Sequence, residues 1–209
     1  MRRIANISVL VVAGLAIGLG CVVWLTLVRG FSARDKPSPH EAMMARMARH
    51  YATPRSMRDA VNPVPNSPEA LANARAHWAD HCATCHGNDG RGLTQIGRNV
   101  YPPAPDMTLG DTQSLSDGEL FSIIENGIRL TAMPGWGDGT ADSARESWQL
   151  VFFIRHLPKI SKDELLEMEK LNPRSPAEFE ELKAEENFLS GAAPPQSVAP
   201  NNEHAQHHH

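Results

Sequence analysis

The chain has 209 residues, a length that suggests one or two compact units. It carries 20 Lys and Arg against 24 Asp and Glu, and this near-balance gives no reason to expect nucleic acid as a partner. Three cysteines exclude a framework of disulfides, and the 16 prolines and 15 glycines predict loops and straps around a small core rather than a large regular sheet.

The first predicted element is a membrane segment. The run from Ile4 to Val28 contains no charged residue and is longer than the ~20 residues that a helix needs to cross a bilayer core. A cleaved secretory signal is the competing interpretation, but signal cores span only about 7–15 apolar residues. We therefore predict an uncleaved anchor over residues 1–29. Lys and Arg flank both ends of the run, so charge does not fix its orientation.

Residues 30–66 are predicted to form a linker and an extended strap. The stretch from His40 to Tyr51 has helical composition, and the prolines at 54, 63 and 65 favour extended backbone around them. The strap leads to Ser67-Pro68-Glu69, which predicts a helix start because Ser is a good N-cap and Pro suits the first helical position.

The helix that begins there ends in the most specific motif of the chain, Cys82-Ala83-Thr84-Cys85-His86. Two thiols three residues apart lie on one side of a helical turn, where they can bond both vinyl groups of one porphyrin while the adjacent His lies over the iron. A redox-active thiol pair does not require this His, and a zinc site needs four ligands, for which no second Cys pair exists. The motif therefore predicts one covalently attached haem c.

Shorter signals organise the rest of the chain. Residues 87–115 are rich in Gly and Pro and are predicted to be loops. Ser116-x-x-Glu119 is a capping box that starts a helix ending at Gly127, and another helix is predicted from about Asp142 to Leu157.

The C-terminal part is predicted to be an acidic helical extension over residues 161–189, followed by a disordered tail over residues 190–209. Ser161-x-x-Glu164 and Ser175-Pro176 predict the starts of its two helices. The histidines of the tail are interpreted as a tag remnant or a plain polar tail rather than a metal site.

With the haem motif in place, the chain from about Ser67 to Pro158 resembles class I cytochromes c. In that family a small residue is followed four residues later by an aromatic residue and, after four more, by the first haem cysteine; here these are Ala74, Trp78 and Cys82. The resemblance implies that the last helix crosses closely at the small residue and brings an aromatic side chain, for which Phe153 is best placed.

The fold implied for the haem domain, residues 67–160, is all-α: three or more short helices around one haem, here with an N-terminal transmembrane helix and a helical C-terminal extension. The buried porphyrin would supply apolar surface that a domain of ~100 residues otherwise lacks.

The resemblance also implies that a Met-Pro pair on the loop before the last helix supplies the second axial ligand, and Met133 matches. A thioether is a soft ligand that raises the potential, and it closes the iron to small molecules. Met107 is an alternative, either as ligand or as packing. His77 and His81 would project near the proximal side, and His156 is predicted at the surface. Further candidates would require the N-terminal segment to fold over the haem: His40, Met43, Met44, Met47 and His50.

Further residues are candidates for contacts with the haem or with His86. In class I cytochromes a proline carbonyl holds the free ring nitrogen of the haem histidine, and Pro102 or Pro103 is the candidate acceptor for His86. Trp136 is a candidate contact of the haem propionates, together with Arg98 and Tyr101.

The predicted function is that of an electron-transfer protein rather than an enzyme: a membrane-tethered cytochrome c that carries one electron at a time between a redox donor and an acceptor of the respiratory chain. The resemblance implies haem attachment outside the cytoplasm, which places residues 30–209 in the periplasm beside a bacterial inner membrane. One alternative is a fixed haem subunit of a larger complex, an alternative complex III or a cbb-type oxidase. Another is a haem enzyme or gas sensor in which Met133 is labile.

Overall fold

The computed structural model describes residues 2–30, 32–174 and 176–190, and all regular structure in these ranges is helical. This confirms the predicted all-α class. The helices in chain order are α1 (Arg2–Arg29), α2 (Pro39–Ala52), α3 (Arg55–Arg58), α4 (Pro68–His77), α5 (Ala83–His86), α6 (Gln95–Arg98), α7 (Gly110–Gln113), α8 (Asp117–Asn126), α9 (Ala141–His156), α10 (Lys162–Glu169) and α11 (Pro176–Leu189). A π-helical turn, Trp78–Cys82, joins α4 to α5, and a 3₁₀ turn, Leu157–Lys159, follows α9.

The chain divides into two units, residues 1–171 and 172–209. The described part of the second unit contains helix α11. Ser175, predicted to start that helix, and the predicted disordered tail from residue 191 onward lie outside the described residues. The segment boundaries predicted above therefore stay predictions.

In the part of the chain that the structure describes, one helix is long and apolar enough to cross a membrane. It is the Val9–Val28 stretch of α1, whose side chains are not covered by other parts of the protein. This agrees with a single N-terminal anchor. A signal sequence has the same properties, so retention of the anchor stays a prediction.

Helix α2 and the strap that follows it, residues 53–66, are packed on the haem domain. His50 of α2 hydrogen-bonds through Nδ1 to Oε1 of Glu119 in α8 at 2.8 Å, and Asn62 Nδ2 donates to the Trp148 carbonyl of α9 at 2.8 Å. The strap was predicted to be extended, but α3 forms a helical turn directly after Pro54. Between α1 and α2 lie residues 30–38.

The core lies where α4, α8 and α9 meet. Ala74 is 1% exposed at this position, and the rings of Trp78 and Phe153 lie 5.3 Å apart. The rings of Phe121 and Trp148 stack at 4.2 Å on the other side of α9. The predicted contact of Phe153 with Trp78 is therefore present, and the buried Ala74 has the small side chain that a close helix crossing needs.

Arg155 fixes α9 against the start of α8. Its guanidinium donates to the carbonyls of Gln113 (2.8 Å) and Leu115 (2.5 Å) and to Oδ1 of Asp117 (2.7 and 3.0 Å). Several charge-assisted bonds from one planar group set both distance and orientation.

Helix α10 belongs to the first unit and closes the core from the C-terminal side. Met168 is 0% exposed. Glu164 forms the capping box with Ser161, and its Oε1 also contacts His156 Nε2 at 2.9 Å and Arg75 Nη1 at 3.3 Å. His156, the last residue of α9 and predicted at the surface, is half-buried with its side chain 26% exposed, and this carboxylate pairs it with α10.

Candidate haem site

An apolar cavity opens between the helices of the first unit. It brings together Cys82, His86, Met133 and Trp136, which were predicted as site residues from distant parts of the sequence. The other residues that line it are Arg49, Trp78, Pro105, Met107, Thr112, Leu115, Leu120, Ile123, Ile124, Ile128, Leu150 and Ile154. Cys85, Pro102 and Pro103 are predicted site residues that do not line this cavity.

Both motif cysteines are free and partly buried, as thioether formation requires. Burial, with a smaller contribution from Cys85, raises the pKa of the Cys82 thiol to about 12. This thiol is therefore protonated at neutral pH. The motif backbone is held from the following loop, because Thr94 Oγ1 donates to the Cys85 carbonyl at 3.0 Å and Gly97 packs so closely that an added Cβ would meet the same oxygen.

His86 ends α5 and is 8% exposed. Burial lowers its pKa to about 4, so the imidazole is neutral at physiological pH, which is the form that binds metals. The Trp78 ring lies 5.7 Å away, and Trp78 Nε1 donates to the Gly87 carbonyl at 2.9 Å. The aromatic residue of the family pattern thus fixes the chain directly after the haem histidine.

Nδ1 of His86 is buried and, within the described residues, has no hydrogen-bond partner. Pro102 and Pro103 were predicted to supply its acceptor, whereas the proline that lines the cavity is Pro105. The choice of acceptor therefore stays a prediction. A neutral imidazole whose ring faces an apolar cavity can coordinate a metal through one nitrogen, and its other nitrogen would then bond an acceptor.

The loop that carries Met133 is pinned to the C-terminal end of α8. Ile128 N donates to the Met133 carbonyl at 3.1 Å, and Trp136 N donates to the Ile124 carbonyl at 2.9 Å. Gly127 has a φ of +66°, and a Cβ there would meet the backbone of the Pro134–Gly135 peptide. The close approach of this loop to α8 places the half-buried Met133 at the cavity.

Met107 lies at the same cavity but in a different setting. Its side chain is 9% exposed within the core cluster, and its backbone is held at both ends, because its N–H donates to Gly90 at 2.8 Å and its carbonyl accepts from Gln113 Nε2 at 2.7 Å. Met133 is likewise bonded through its backbone N–H and carbonyl, to Thr131 and Ile128, but its side chain is only half-buried. The deeper burial of Met107 supports its interpretation as packing.

His77 and His81 do not line the haem cavity. Their rings lie 4.9 Å apart and line a separate cleft together with Asp80 and Glu146. Trp136 borders both cavities, with its ring 5.4 Å from that of His81. No cluster of His, Cys, Asp and Glu in the described part of the chain has the arrangement of a metal site.

Arg49 is the functional candidate that sequence reasoning missed. It lies on α2, outside the part that resembles class I cytochromes, yet it lines the haem cavity. No local pattern marks it, because its neighbours Arg46 and Arg55 are equally basic and lie outside the cavity.

The residues at the cavity fit a covalently bound haem. The lining is almost wholly apolar, as the faces of a porphyrin require, two thiols are unpaired, and a neutral imidazole has a buried nitrogen without a partner. Together these donors match the thioether and axial bonds of haem c.

Comparisons with known proteins give one family match and one similar solved structure. Residues 69–154 match the family model described as cytochrome c oxidase, cbb3-type, subunit III. Among solved structures, a chain of the Kuenenia stuttgartiensis reducing HAO-like protein complex is similar, with 19% sequence identity, a TM-score of 0.39 and coverage of 46% of each chain. This chain thus spans less than half of that protein. The comparison with curated proteins found no match.

Proposed function

We propose that this chain, whose residues 69–154 form a class I c-type cytochrome domain, is a membrane-anchored single-haem cytochrome that carries one electron at a time between redox partners on the periplasmic side. The observation that carries the proposal is the meeting of Cys82, His86 and Met133 at one apolar cavity. In the proposal the two thiols of Cys82 and Cys85 hold the haem, and His86 and Met133 are its axial ligands.

The haem supplies one-electron chemistry at its iron when bound. The protein's own residues keep water away from that centre, since Leu120, Ile124, Leu150 and Ile154 contribute only hydrocarbon to the cavity. His86 and Met133 would both be held by the bound haem iron, and this would leave the iron no open position for a substrate. This is why we propose electron transfer rather than catalysis.

The anchor limits where electrons can be delivered. Because α2 packs on the haem domain, the distance between the anchor and that domain is limited by the number of residues between α1 and α2. Fully extended, a segment of this length spans at most about 30 Å. The haem would therefore stay close to the membrane surface, which raises its effective concentration near membrane-bound partners.

A second candidate is a fixed haem subunit of a larger membrane complex, such as a cbb-type oxidase or an alternative complex III. The description of the matching family, an oxidase subunit, favours it. The packed strap also favours it, because a domain on a short segment is suited to a fixed position. In either case the chain handles electrons and not a substrate.

The experiment that tests the electron-transfer proposal uses the full chain purified in detergent from a host that attaches haem c. Haem staining after denaturation should show covalent haem, and its loss in Cys82→Ser and Cys85→Ser would locate the bonds. The reduced protein should not bind carbon monoxide. Rapid carbon monoxide binding by the wild type would refute a six-coordinate carrier and support the enzyme or sensor interpretation.

Native purification separates the two candidate functions. After detergent extraction, a carrier should purify as a single haem polypeptide, whereas a subunit should co-purify with other chains in a fixed stoichiometry. A matched variant without residues 1–29 controls for association through the anchor alone.

A further inference from the structure

The haem cavity has one formally charged side chain among the residues that line it, Arg49. Arg49 lies on α2 and is half-buried. A guanidinium at an apolar cavity loses much of its hydration, and this loss is costly unless an anion compensates for it.

The backbone at Arg49 is firmly placed. Its carbonyl accepts from both the N–H and the Oγ1 of Thr53, each at 3.0 Å, and Thr53 is buried. The next residue along the chain, His50, bonds Glu119 of α8. The cavity position of Arg49 therefore follows from how α2 is docked on the haem domain.

The carboxylates near Arg49 are already engaged. Glu119 accepts from His50 at 2.8 Å and from the Ser116 N–H at 2.9 Å, and Asp111 is paired with Arg46 at 2.5 Å. No ion pair or hydrogen bond of the Arg49 guanidinium is found within the described residues. Burial lowers the pKa of Arg49, the direction expected for a cation that its surroundings do not fully compensate.

We infer that Arg49 supplies the positive charge that binds a carboxylate of the haem, and so acts as a positioning residue for the cofactor from outside the cytochrome domain proper. The propionates are the anionic groups of an otherwise apolar ring, and a guanidinium binds a carboxylate with two parallel hydrogen bonds. The inference rests on the proposed function, because it requires haem in this cavity.

The consequence is measurable as a redox potential. Ferric haem carries one positive charge more than ferrous haem, so a cation held nearby disfavours the ferric state. Removing that cation should stabilise ferric over ferrous haem. We expect Arg49→Gln to shift the ferric-to-ferrous ratio at a fixed poise by roughly tenfold, equivalent to a midpoint potential lower by about 59 mV for a one-electron couple.

The test is a spectroelectrochemical titration of the haem-loaded full chain in detergent, with Arg46→Gln as the matched control. Arg46 lies three residues earlier on α2 and pairs with an exposed aspartate away from the cavity. Arg46→Gln should leave the potential unchanged, and Arg49→Lys, which keeps the charge, should stay within about threefold of the wild-type ratio. Equal potentials for Arg49→Gln and Arg46→Gln would overturn the inference.

Haem staining of the denatured proteins distinguishes failure of the proposed function from failure of the role of Arg49. A wild-type chain without covalent haem would refute the proposed function itself, whereas haem-loaded variants with unmoved potentials would refute only the role of Arg49. If Arg49→Gln does not accumulate as folded protein, Arg49→Lys decides, because a tenfold shift in a variant that retains the charge would contradict the electrostatic role.

Discussion

Replacing Gly118 by alanine tests whether the strap is packed on the haem domain as described. Gly118 is the second residue of α8, and a Cβ there would meet the Met57 carbonyl and lie 3.2 Å from the Ala60 Cβ. The obstacle is backbone from the strap, which cannot rotate away as a flexible side chain could.

The magnitude follows from two opposing effects. In a helix, alanine is favoured over glycine by up to about 1 kcal/mol. Forcing an extra carbon into a close-packed contact costs about 1–3 kcal/mol. The packing cost should be the larger, so we expect Gly118→Ala to lower the free energy of unfolding by roughly 1–2 kcal/mol, or Tm by about 2–4 °C for each kcal/mol in a chain of this size.

The assay is thermal and urea unfolding of the haem-loaded chain, with Gly110→Ala as the control. Gly110 begins the short helix α7, and nothing lies within 4 Å of a Cβ built there, so this substitution should be neutral or slightly stabilising. Limited proteolysis should cut the strap faster in Gly118→Ala. If Gly118→Ala proved as stable as Gly110→Ala, the docking of the strap on α8 would be refuted.

Three further predictions concern the haem ligand, the core and the response to acid. Met133→Ala should abolish the sulfur-to-iron charge-transfer band and lower the redox potential, with the haem still covalently held. Met107→Ala should keep that band and lower the free energy of unfolding in urea by about 2–5 kcal/mol. The opposite pattern would make Met107 the ligand. Phe153→Ala should cost about 3–5 kcal/mol in the same assay, because the side chain is fully buried against the Trp78 ring, and a loss below 1 kcal/mol would argue against that packing. Burial would raise the pKa of Glu164, but its hydrogen bonds lower that pKa to about 2. The contribution of Glu164 to stability is therefore present above the ordinary carboxyl pKa and is lost as the pH falls toward 2. Glu164→Gln should flatten this acid-dependent loss of stability, and an unchanged pH profile would contradict the prediction.

The elements that the sequence predicted correctly are those specified by residues close together in the chain. Ser67, Ser116 and Ser161 cap their helices as expected, each accepting the N–H three residues on. The apolar run of α1 and the haem motif are likewise continuous in sequence. Signals of this kind can be recognised because every residue that carries them lies within one short stretch of the chain.

Other features depend on contacts between residues far apart in the chain. The position of Arg49 at the cavity follows from a bond between His50 and Glu119, which are 69 residues apart. The different settings of Met107 and Met133 follow in the same way from the loops that hold them.

The sequence by itself therefore determined the chemistry of the site, because thiols and imidazole at fixed spacing can serve few purposes other than haem attachment. Only the tertiary structure decided which charge lies at that site and which segments enclose it. The physical reason is that α2 and the strap carry no motif of their own: their placement results from a few hydrogen bonds and one close backbone contact with α8 and α9.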